Sequence, residues 1–300
     1  MDIRQSSNWG DYLSRIGWKI EKIGNDSQAF IRPIPLFHHS VVKIQHPYGP
    51  INFTKIDEVA KKHKAFFVLV EPQSPKYNES LFIKEGYYPS KTSLTHTATI
   101  LIDLNKSEEK LFSSFSENAR RNIKKAQKNN LVVKKIFLKD EEDDAEFKNF
   151  YALLSNLTKL KKFYVPGYSE FHKKMLAFKK DSVILFAYHQ EKPVAAIWLG
   201  ILEDTAVYMN TGITKVGYDL LANYLLVWEA LKLSKKLKLK VFDFEGIYDP
   251  RFPQHRQSWK NFTEFKSRFH GQIIEHPKPW VKYYSLPFKI FYLCGQILSR

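Results

Sequence analysis

Residues 218–249 have the sequence YDLLANYLLVWEALKLSKKLKLKVFDFEGIYD, and this stretch predicts the class of fold. Its first part, Tyr218–Leu237, places apolar side chains such as Leu221 and Trp228 on one stripe at helical spacing, which predicts a long amphipathic helix. The following segment, Lys240–Phe244, has the short apolar pattern of a strand. A helix that leads directly into a strand is typical of an α/β fold.

The same alternation of helices and strands extends through the rest of the chain. Further strands are predicted at 18–23, 29–34, 41–45, 65–70, 97–104, 131–137, 182–189, 194–201, 206–210 and 271–276. Further helices are predicted at 8–16, 56–64, within 107–130, from the acidic connector to about 160, and at 169–178. The connector KDEEDDAE at 139–146 marks a domain seam, so we predict two similar α/β units, 1–140 and 141–279.

Charge restricts the class of partner. The 300 residues are 44% hydrophobic, which is enough for one large domain or two ordinary ones. Lysine and arginine number 47 against 31 acidic residues, a net charge of +16. Such an excess favours nucleic acid, phosphorylated substrates or an anionic membrane face. A solvated basic surface without a specific partner is the alternative.

The sequence also predicts the compartment. Cys294 is the only cysteine, which excludes an intrachain disulfide and a cysteine zinc cluster. The N-terminus lacks the apolar core of a signal peptide, and no apolar run approaches the ~20 residues of a spanning helix. We therefore expect a cytoplasmic protein. The aromatic segment 280–298, with lysines interspersed, is expected either to lie at a membrane surface or to pack on the first domain.

Common catalytic signatures are missing. The sequence contains no GxxxxGK[ST], GxGxxG, HExxH or GxSxG motif. The ten histidines show no ligand spacing, and the adjacent pair His38–His39 would point to opposite faces of a strand. The sequence therefore predicts no metal site and no cofactor.

A basic helix is predicted at 115–131, FSENARRNIKKAQKNNL. Its cations fall at one-, three- and four-residue spacings: Arg120, Arg121, Lys124, Lys125 and Lys128. Glu117 is the only nearby acid, so i,i+4 ion pairs do not account for the pattern. The helix is either a solvated face or a binding surface for an anion.

Two further segments carry polar side chains suited to chemistry. Asp243 and Glu245 lie at the carboxyl end of the strand in VFDFEGIYD, where open α/β sheets bind ligands. The alternative is a loop cap, or a pair with Arg251 or Arg256.

The segment SWKNFTEFKSRFHG at 258–271 has three phenylalanines at helical spacing, Phe262, Phe265 and Phe269. Lys266 and Arg268 lie among them. A lysine beside buried rings is poorly hydrated and suited to stabilising an oxyanion. The alternative is a lysine whose stem only covers the rings.

In this order the segments resemble the Fem family (FemABX) of peptidoglycan bridge-forming aminoacyltransferases. The family pattern has a strand ending in Ile/Val-Asp-Leu, an R-x-x-I-x-x-A-x-K helix, a Y/F-D-F-x-G segment, and Phe-Lys before Phe-Gly. The matching residues are ILIDL at 100–104, Arg120/Arg121 to Lys128, Phe242–Gly246, Phe265–Lys266 and Phe269–Gly271, with an early Trp-Gly at Trp9–Gly10.

The resemblance implies two tandem GNAT-like domains in the compact form without a coiled-coil arm, and a final helix, 280–300, folding back onto the first domain. It also implies that Phe265 and Lys266 are the catalytic pair, with Lys266 stabilising the negative charge that develops as an amine attacks an aminoacyl ester. Asp243 or Glu245 is expected to position the amine or accept its proton.

Phosphates of the substrates are expected to bind basic residues, namely Arg120, Arg121, Lys124, Lys128 and Arg268, together with Lys134 and Lys135. The chain departs from the family at two points. His270 replaces a glycine, and no lysine stands at the position after Trp9 where the family has its early phosphate-binding lysine, so Arg15 or Lys19 would replace it as a phosphate ligand.

The expected function is transfer of an amino acid from aminoacyl-tRNA, as co-substrate, to an amine of a lipid-linked or UDP-linked peptidoglycan precursor. The protein is expected to be a monomer that contacts the inner membrane face peripherally. One alternative is a GNAT acyltransferase using acyl-CoA, although TGITKVGYD at 211–219 lacks the Q/R-x-x-G-x-G/A turn. The other is a basic RNA-binding module, although no RNP-type strand is present.

Overall fold

The computed structural model describes residues 1–290 except 25–26, 36, 48, 75–76, 139–143, 162–163, 254–255 and 288, and it does not describe the side chains of 159–161. The chain divides into two compact units. The first comprises Met1–Thr97 and the chain from Glu275 onward, and the second comprises Ala98–Ile274.

The first unit contains a six-stranded sheet with strand order β1-β2-β3-β4-β13-β5. The strands are β1 (Lys19–Lys22), β2 (Gln28–Ile34), β3 (His39–Gln45), β4 (Ala65–Glu71), β5 (Tyr88–Pro89) and β13 (Trp280–Tyr283). The helices are α1 (Ser7–Arg15), α2 (Phe53–Lys62) and α3 (Glu79–Lys84). Strand β4 is buried along nearly its whole length because it has a partner strand on each side.

Strand β13 was not predicted, since the sequence analysis placed 280–300 in a helix. Trp280–Tyr283 instead pairs antiparallel with β4 on one side, and Trp280–Val281 with β5 on the other. Trp280 is 2% exposed and stacks on Phe82 with ring centroids 5.0 Å apart. The chain does return to the first unit, as a strand, because its hydrogen-bonding partners lie far away in sequence. Residues 291–300 lie outside the described residues.

The second unit contains a seven-stranded sheet with strand order β12-β6-β11-β10-β9-β8-β7. The strands are β6 (Ala98–Asp103), β7 (Val132–Phe137), β8 (Ser182–His189), β9 (Lys192–Leu202), β10 (Thr205–Ile213), β11 (Val241–Gly246) and β12 (Gln272–Glu275). The helices are α4 (Glu108–Ser114), α5 (Glu117–Gln127), α6 (Asp144–Lys161), α7 (Tyr168–Phe178), α8 (Lys215–Asp219), α9 (Ala222–Lys236) and α10 (Lys260–Ser267).

The division between the units differs from the predicted seam at residue 140. Strand β6 and the basic helix α5, which the sequence analysis placed in the first domain, belong to the second unit. The reason is strand pairing: β6 runs antiparallel to β11, with Asp103 opposite Val241, and β7 pairs with β8. An acidic connector is a local signal, whereas membership of a sheet is set by a distant partner.

The long helix predicted at 218–237 is two helices. Leu221 has φ +60, in the left-handed region, so α8 ends at Asp219 and α9 begins at Ala222. Just before the break, Gly217 packs so closely that a Cβ atom there would lie 2.3 Å from the carbonyl oxygen of Val194. Among the described residues, no helix is long and apolar enough to cross a membrane.

Candidate active site

The sheet of the second unit opens between two parallel neighbours, β10 and β11. Their pairing covers Thr205–Val207 and Val241–Asp243, after which the register ends. On its other edge, β10 continues to pair with β9 as far as Ile213. The opening therefore lies at the carboxyl end of β11, the end at which open α/β sheets bind ligands.

A β-bulge in β11 forms one side of this opening. The register between β11 and β6 shifts between Asp243 and Gly246, and Glu245 has φ +60. The Glu245 amide donates to Asp243 Oδ1 at 2.7 Å. Buried Thr99 donates its hydroxyl to the same carboxylate and lies 3.0 Å from the Glu245 carbonyl oxygen. A left-handed residue that is not glycine costs about 1–2 kcal/mol, and these contacts hold it in place.

Lys266, on α10, reaches the backbone of this bulge. Its Nζ donates to the carbonyl oxygen of Gly246 at 2.7 Å and lies 5.8 Å from the ring centroid of Tyr208. Burial lowers the pKa of Lys266 from 10.5 to about 8, while the carboxylates of Glu245 and Asp243 act in the opposite direction. At pH 7 the group is therefore a largely desolvated cation at the opening of the sheet.

The same hydrogen bond ties α10 to β11, so Lys266 also makes a structural contact. Its neighbour Phe265 is half-buried and packs among aromatic rings, 5.0 Å from Tyr224 and 5.5 Å from Phe269 between centroids. Phe269 is fully buried in the core of the unit. The packing of Phe265 and Phe269 fixes the turn of helix that carries Lys266.

Arg268, predicted to bind phosphate, is committed to contacts within the protein. It forms an ion pair with Glu264 at 2.5 Å and donates to Tyr224 Oη and to Asn118 Oδ1, the latter at 3.3 Å. The backbone carbonyl of Arg268 also accepts from the amide of Ser116. These bonds join the end of α10, two residues beyond Lys266, to the start of the basic helix α5.

Helix α5 presents a basic groove of about 580 Å³. The groove is lined by Phe112, Ser113, Glu117, Arg120, Arg121, Lys124, Lys125 and Lys128. The helix begins at Ser116, whose hydroxyl accepts from the Ala119 amide at 3.1 Å, and it buries Ala119, Ile123 and Ala126 on its opposite face.

The cations of the groove are available to a ligand. Arg121, Lys124, Lys125 and Lys128 are exposed and form no ion pair with an acidic side chain that the structure describes. Arg120 is half-buried and donates to the carbonyl oxygen of Ser113 at 3.2 Å. Four neighbouring cations without such a partner repel one another, and an anion would relieve that repulsion.

Other predicted phosphate ligands do not join this groove. Lys135 forms an ion pair with Glu229 at 3.0 Å, and Lys134 lies 4.7 Å from the ring centroid of Tyr188. Arg15 belongs to the first unit, where it forms an ion pair with Asp11 at 2.9 Å.

Two residues that the sequence analysis did not single out contribute to the site. Thr99 holds the bulge, and Tyr208 lies beside the ammonium of Lys266. Both lie in strands whose pattern predicts only strand structure, so no local signal distinguishes them. Arg251, proposed as a partner of the site carboxylates, forms an ion pair with Asp249 at 2.6 Å.

Comparison with known families identifies the class of fold. Residues 117–261 match the family model of the acetyltransferase (GNAT) domain, which lies within the second unit. The two mixed α/β units are GNAT-like, as the sequence resemblance implied. The match and the fold support an acyltransferase. No curated protein sequence matches the chain.

Solved structures extend the comparison to the whole chain. The fold is similar to that of FemX, with a TM-score of 0.78, 14% identity, and coverage of 97% of this chain and 94% of that one. L-PGS from Bacillus licheniformis follows with a TM-score of 0.63, 11% identity, and coverage of 94% and 89%. A tandem GNAT protein from the clavulanic acid biosynthesis pathway gives a TM-score of 0.50, 10% identity, and coverage of 87% and 81%. The resemblance to the Fem family is thus confirmed at the level of the fold.

Proposed function

We propose that this protein transfers an aminoacyl group from aminoacyl-tRNA to an amine of a peptidoglycan precursor. The observation that supports this most directly is the desolvated ammonium of Lys266 at the opening between β10 and β11, bonded to Gly246 and connected through Arg268 to the basic helix. The resemblance of the motifs and of the fold to Fem proteins supplies the substrate class.

The chemistry needs a cation but no metal or nucleotide cofactor, because the ester bond already stores the driving force. The amine nitrogen bonds to the ester carbonyl carbon, the bond from that carbon to the ribose oxygen breaks, and a proton of the amine passes by way of a carboxylate of the site to the leaving oxygen. The ammonium of Lys266 would stabilise the intermediate oxyanion, and a donor in this role is worth about 10²–10³ in turnover.

The carboxylates of Asp243 and Glu245 have different proposed roles. Asp243 Oδ1 accepts from Thr99 and from the Glu245 amide, so Asp243 acts as a positioning residue for the bulge. Glu245 is half-buried and close enough to Lys266 to influence its pKa. Glu245 is therefore our choice for the group that receives the amine proton.

The basic groove of α5 is suited to the phosphates of a nucleic acid. Its exposed cations lie along one helix face, as a phosphate backbone or a precursor pyrophosphate requires. Binding there would weaken as salt concentration rises, since each neutralised phosphate releases counterions. Arg268, in this scheme, positions the start of the helix and does not bind phosphate itself.

The start of α8 favours aminoacyl-tRNA over acyl-CoA as donor. A pyrophosphate is normally held by free backbone amides at a helix start. Here the Gly217 amide donates to Thr214 Oγ1 at 3.1 Å. This amide of the helix start is therefore already used within the turn.

A transfer assay tests the proposal. The purified chain would be incubated with tRNA charged with labelled amino acids and, in separate arms, with a UDP-linked or a lipid-linked muropeptide in detergent. We expect label to reach the acceptor amine, and the preferred arm to identify the precursor. Labelled acetyl-CoA with the same acceptors tests the rival donor, and uncharged RNA tests simple binding.

Two variants on the same helix control the assay. Lys266→Met should lower transfer by about 10²-fold or more, while Lys260→Met, at an exposed lysine of α10, should retain it. Acetyl transfer without aminoacyl transfer would instead favour the acyl-CoA enzyme. Equal binding of charged and uncharged RNA with no transfer in any arm would favour the RNA-binding module.

A further inference from the structure

Three histidines from distant parts of the sequence meet in the interior of the first unit. His46 follows β3, His96 precedes β6, and His276 lies between β12 and β13. They are 1%, 4% and 4% exposed. One ring nitrogen from each lies within 4.8 Å of the other two, and the ring centroids are 4.3–5.3 Å apart.

The outer nitrogens of two rings are fixed by acceptors. His46 Nδ1 donates to the carboxylate of Asp2 at 2.8 Å, and His276 Nδ1 donates to the carbonyl oxygen of Gln73 at 3.1 Å. A neutral ring that donates from Nδ1 presents its lone pair at Nε2. This orientation of a metal-binding histidine by a carboxylate or carbonyl is the usual outer shell of a metal site.

The inner nitrogens of these two rings lack good hydrogen-bond acceptors or donors. His276 Nε2 is buried and has no hydrogen-bond partner among the described residues. His46 Nε2 has a long contact of 3.4 Å with Thr95 Oγ1. A buried lone pair without a hydrogen-bond donor is unfavourable, and a metal ion would satisfy it.

Backbone hydrogen bonds and one unfavourable backbone conformation position the three histidines. His46 has φ +48, a left-handed conformation that is uncommon outside glycine, and its amide donates to the Glu71 carbonyl at 2.8 Å. The Glu71 carboxylate in turn accepts from the amides of Leu94 and Thr95, just before His96. The amide of His276 donates to the carbonyl oxygen of Thr97 at 2.8 Å.

We propose that His46, His96 and His276 bind one divalent transition-metal ion, ordinarily zinc, in the first unit. Three neutral imidazoles with one open position are a common zinc ligand set. The buried Asp2 carboxylate and Arg4 guanidinium beside the site cancel in charge, and Asp2 completes a carboxylate–histidine–metal arrangement through His46. Because the rings come from three separate segments, the ion would stabilise the fold of this unit.

Binding requires two local adjustments. Zinc–nitrogen bonds of about 2.0–2.1 Å at tetrahedral angles place ligand nitrogens about 3.3 Å apart, so the rings must move inward. Arg4 Nη2 lies 3.1 Å from His96 Nδ1 and can only donate, so the empty ring carries its proton on Nε2. On binding, that proton moves to Nδ1, so Arg4 Nη2 loses its acceptor there and must move away, while Arg4 Nη1 keeps its two bonds to Asp2 at 2.9 and 3.1 Å.

Metal analysis of the full chain tests this inference, using tag-free protein because a polyhistidine tag itself binds zinc. The protein is stripped with chelator, dialysed, and titrated with ZnCl₂ or CoCl₂ in separate arms. We expect about one equivalent of zinc per chain to remain after gel filtration, a visible absorption band with cobalt, and a higher melting temperature with either ion.

Matched histidine variants locate the site. His276→Gln and His96→Gln should each lose the bound equivalent. His172→Gln, at a half-buried histidine of α7 in the second unit, should retain it. If a site variant does not fold, as judged by circular dichroism, the stoichiometry and cobalt spectrum of the unaltered protein decide. Wild-type protein that retains no zinc, or a folded His276→Gln protein that binds as much as wild type, would overturn the proposal.

Discussion

Replacing Lys266 with methionine should stabilise the protein while impairing its activity. Each tenfold change in proton affinity is worth about 1.4 kcal/mol, so a pKa of about 8 instead of 10.5 corresponds to about 3 kcal/mol for burying the ammonium. Methionine removes this cost and keeps an apolar stem of similar length, but it leaves the Gly246 carbonyl without its lysine donor, which costs about 1–3 kcal/mol. We therefore expect Lys266→Met to raise the free energy of unfolding by about 1 kcal/mol at pH 7.

The effect should depend on pH in a defined direction. The folded-state pKa of Lys266 is lowered, so between about pH 8 and 10.5 the unfolded chain binds more protons at this position. Wild-type stability therefore rises with pH across this window relative to the variant. The cost is fully present below pH 8, and the difference between the two proteins should shift by about 1 kcal/mol between pH 7 and pH 9.

Urea unfolding of wild type, Lys266→Met and Lys260→Met at pH 7 and pH 9 measures this, alongside the transfer assay. The Lys260 variant should match wild type in stability and turnover at both pH values. The argument from desolvation fails if Lys266→Met is less stable than wild type and the difference in free energy of unfolding is the same at both pH values. In that case the ammonium is solvated and its hydrogen bond stabilises the contact between α10 and β11.

Three further predictions concern the bulge, the groove and the packing of the second unit. Thr99→Val should lower the free energy of unfolding by about 1–3 kcal/mol and reduce transfer, whereas Thr99→Ser keeps the hydroxyl and should preserve both; urea unfolding and the transfer assay measure this. Lys124→Glu should weaken tRNA binding and flatten its dependence on salt without changing the melting temperature, which filter binding at several salt concentrations checks. Gly212→Ala should destabilise by about 1–3 kcal/mol, because the new Cβ would lie 2.4 Å from the amide nitrogen of Leu154. Gly167→Ala has open space around it and is the matched control.

Local pattern predicted much of the fold. The continuous apolar run Ala65–Val70 is a strand buried between two neighbours, and the spacing of apolar and basic residues located α5 closely. These elements succeed because burial of one face leaves a regular pattern in the sequence. Strand β13 and the break at Leu221 were missed, since the first depends on a distant sheet edge and the second on a backbone conformation that a leucine seldom adopts.

The sequence predicted which residues belong to the candidate site, but not which partners their side chains contact. Lys266 lies at the opening of the sheet and the cations of α5 line one groove, and their roles there stay predictions. Arg268 is as basic as these residues, but its guanidinium donates to Tyr224, Asn118 and Glu264 within the protein. A sequence lists the donors a chain possesses, but their partners are chosen by the packing of distant elements.

The sequence by itself determined an α/β chain, a basic helix with few acidic neighbours, and a lysine among phenylalanines. These features depend only on residues that are close together in the sequence. The tertiary structure alone decided that Glu245 would adopt a left-handed conformation near Lys266, and that His46, His96 and His276 would lie together in one buried space. The physical reason is that both arrangements depend on contacts between segments far apart in the chain. Such contacts form when strands pair and the core packs, and they produce no regular spacing of residues in the sequence.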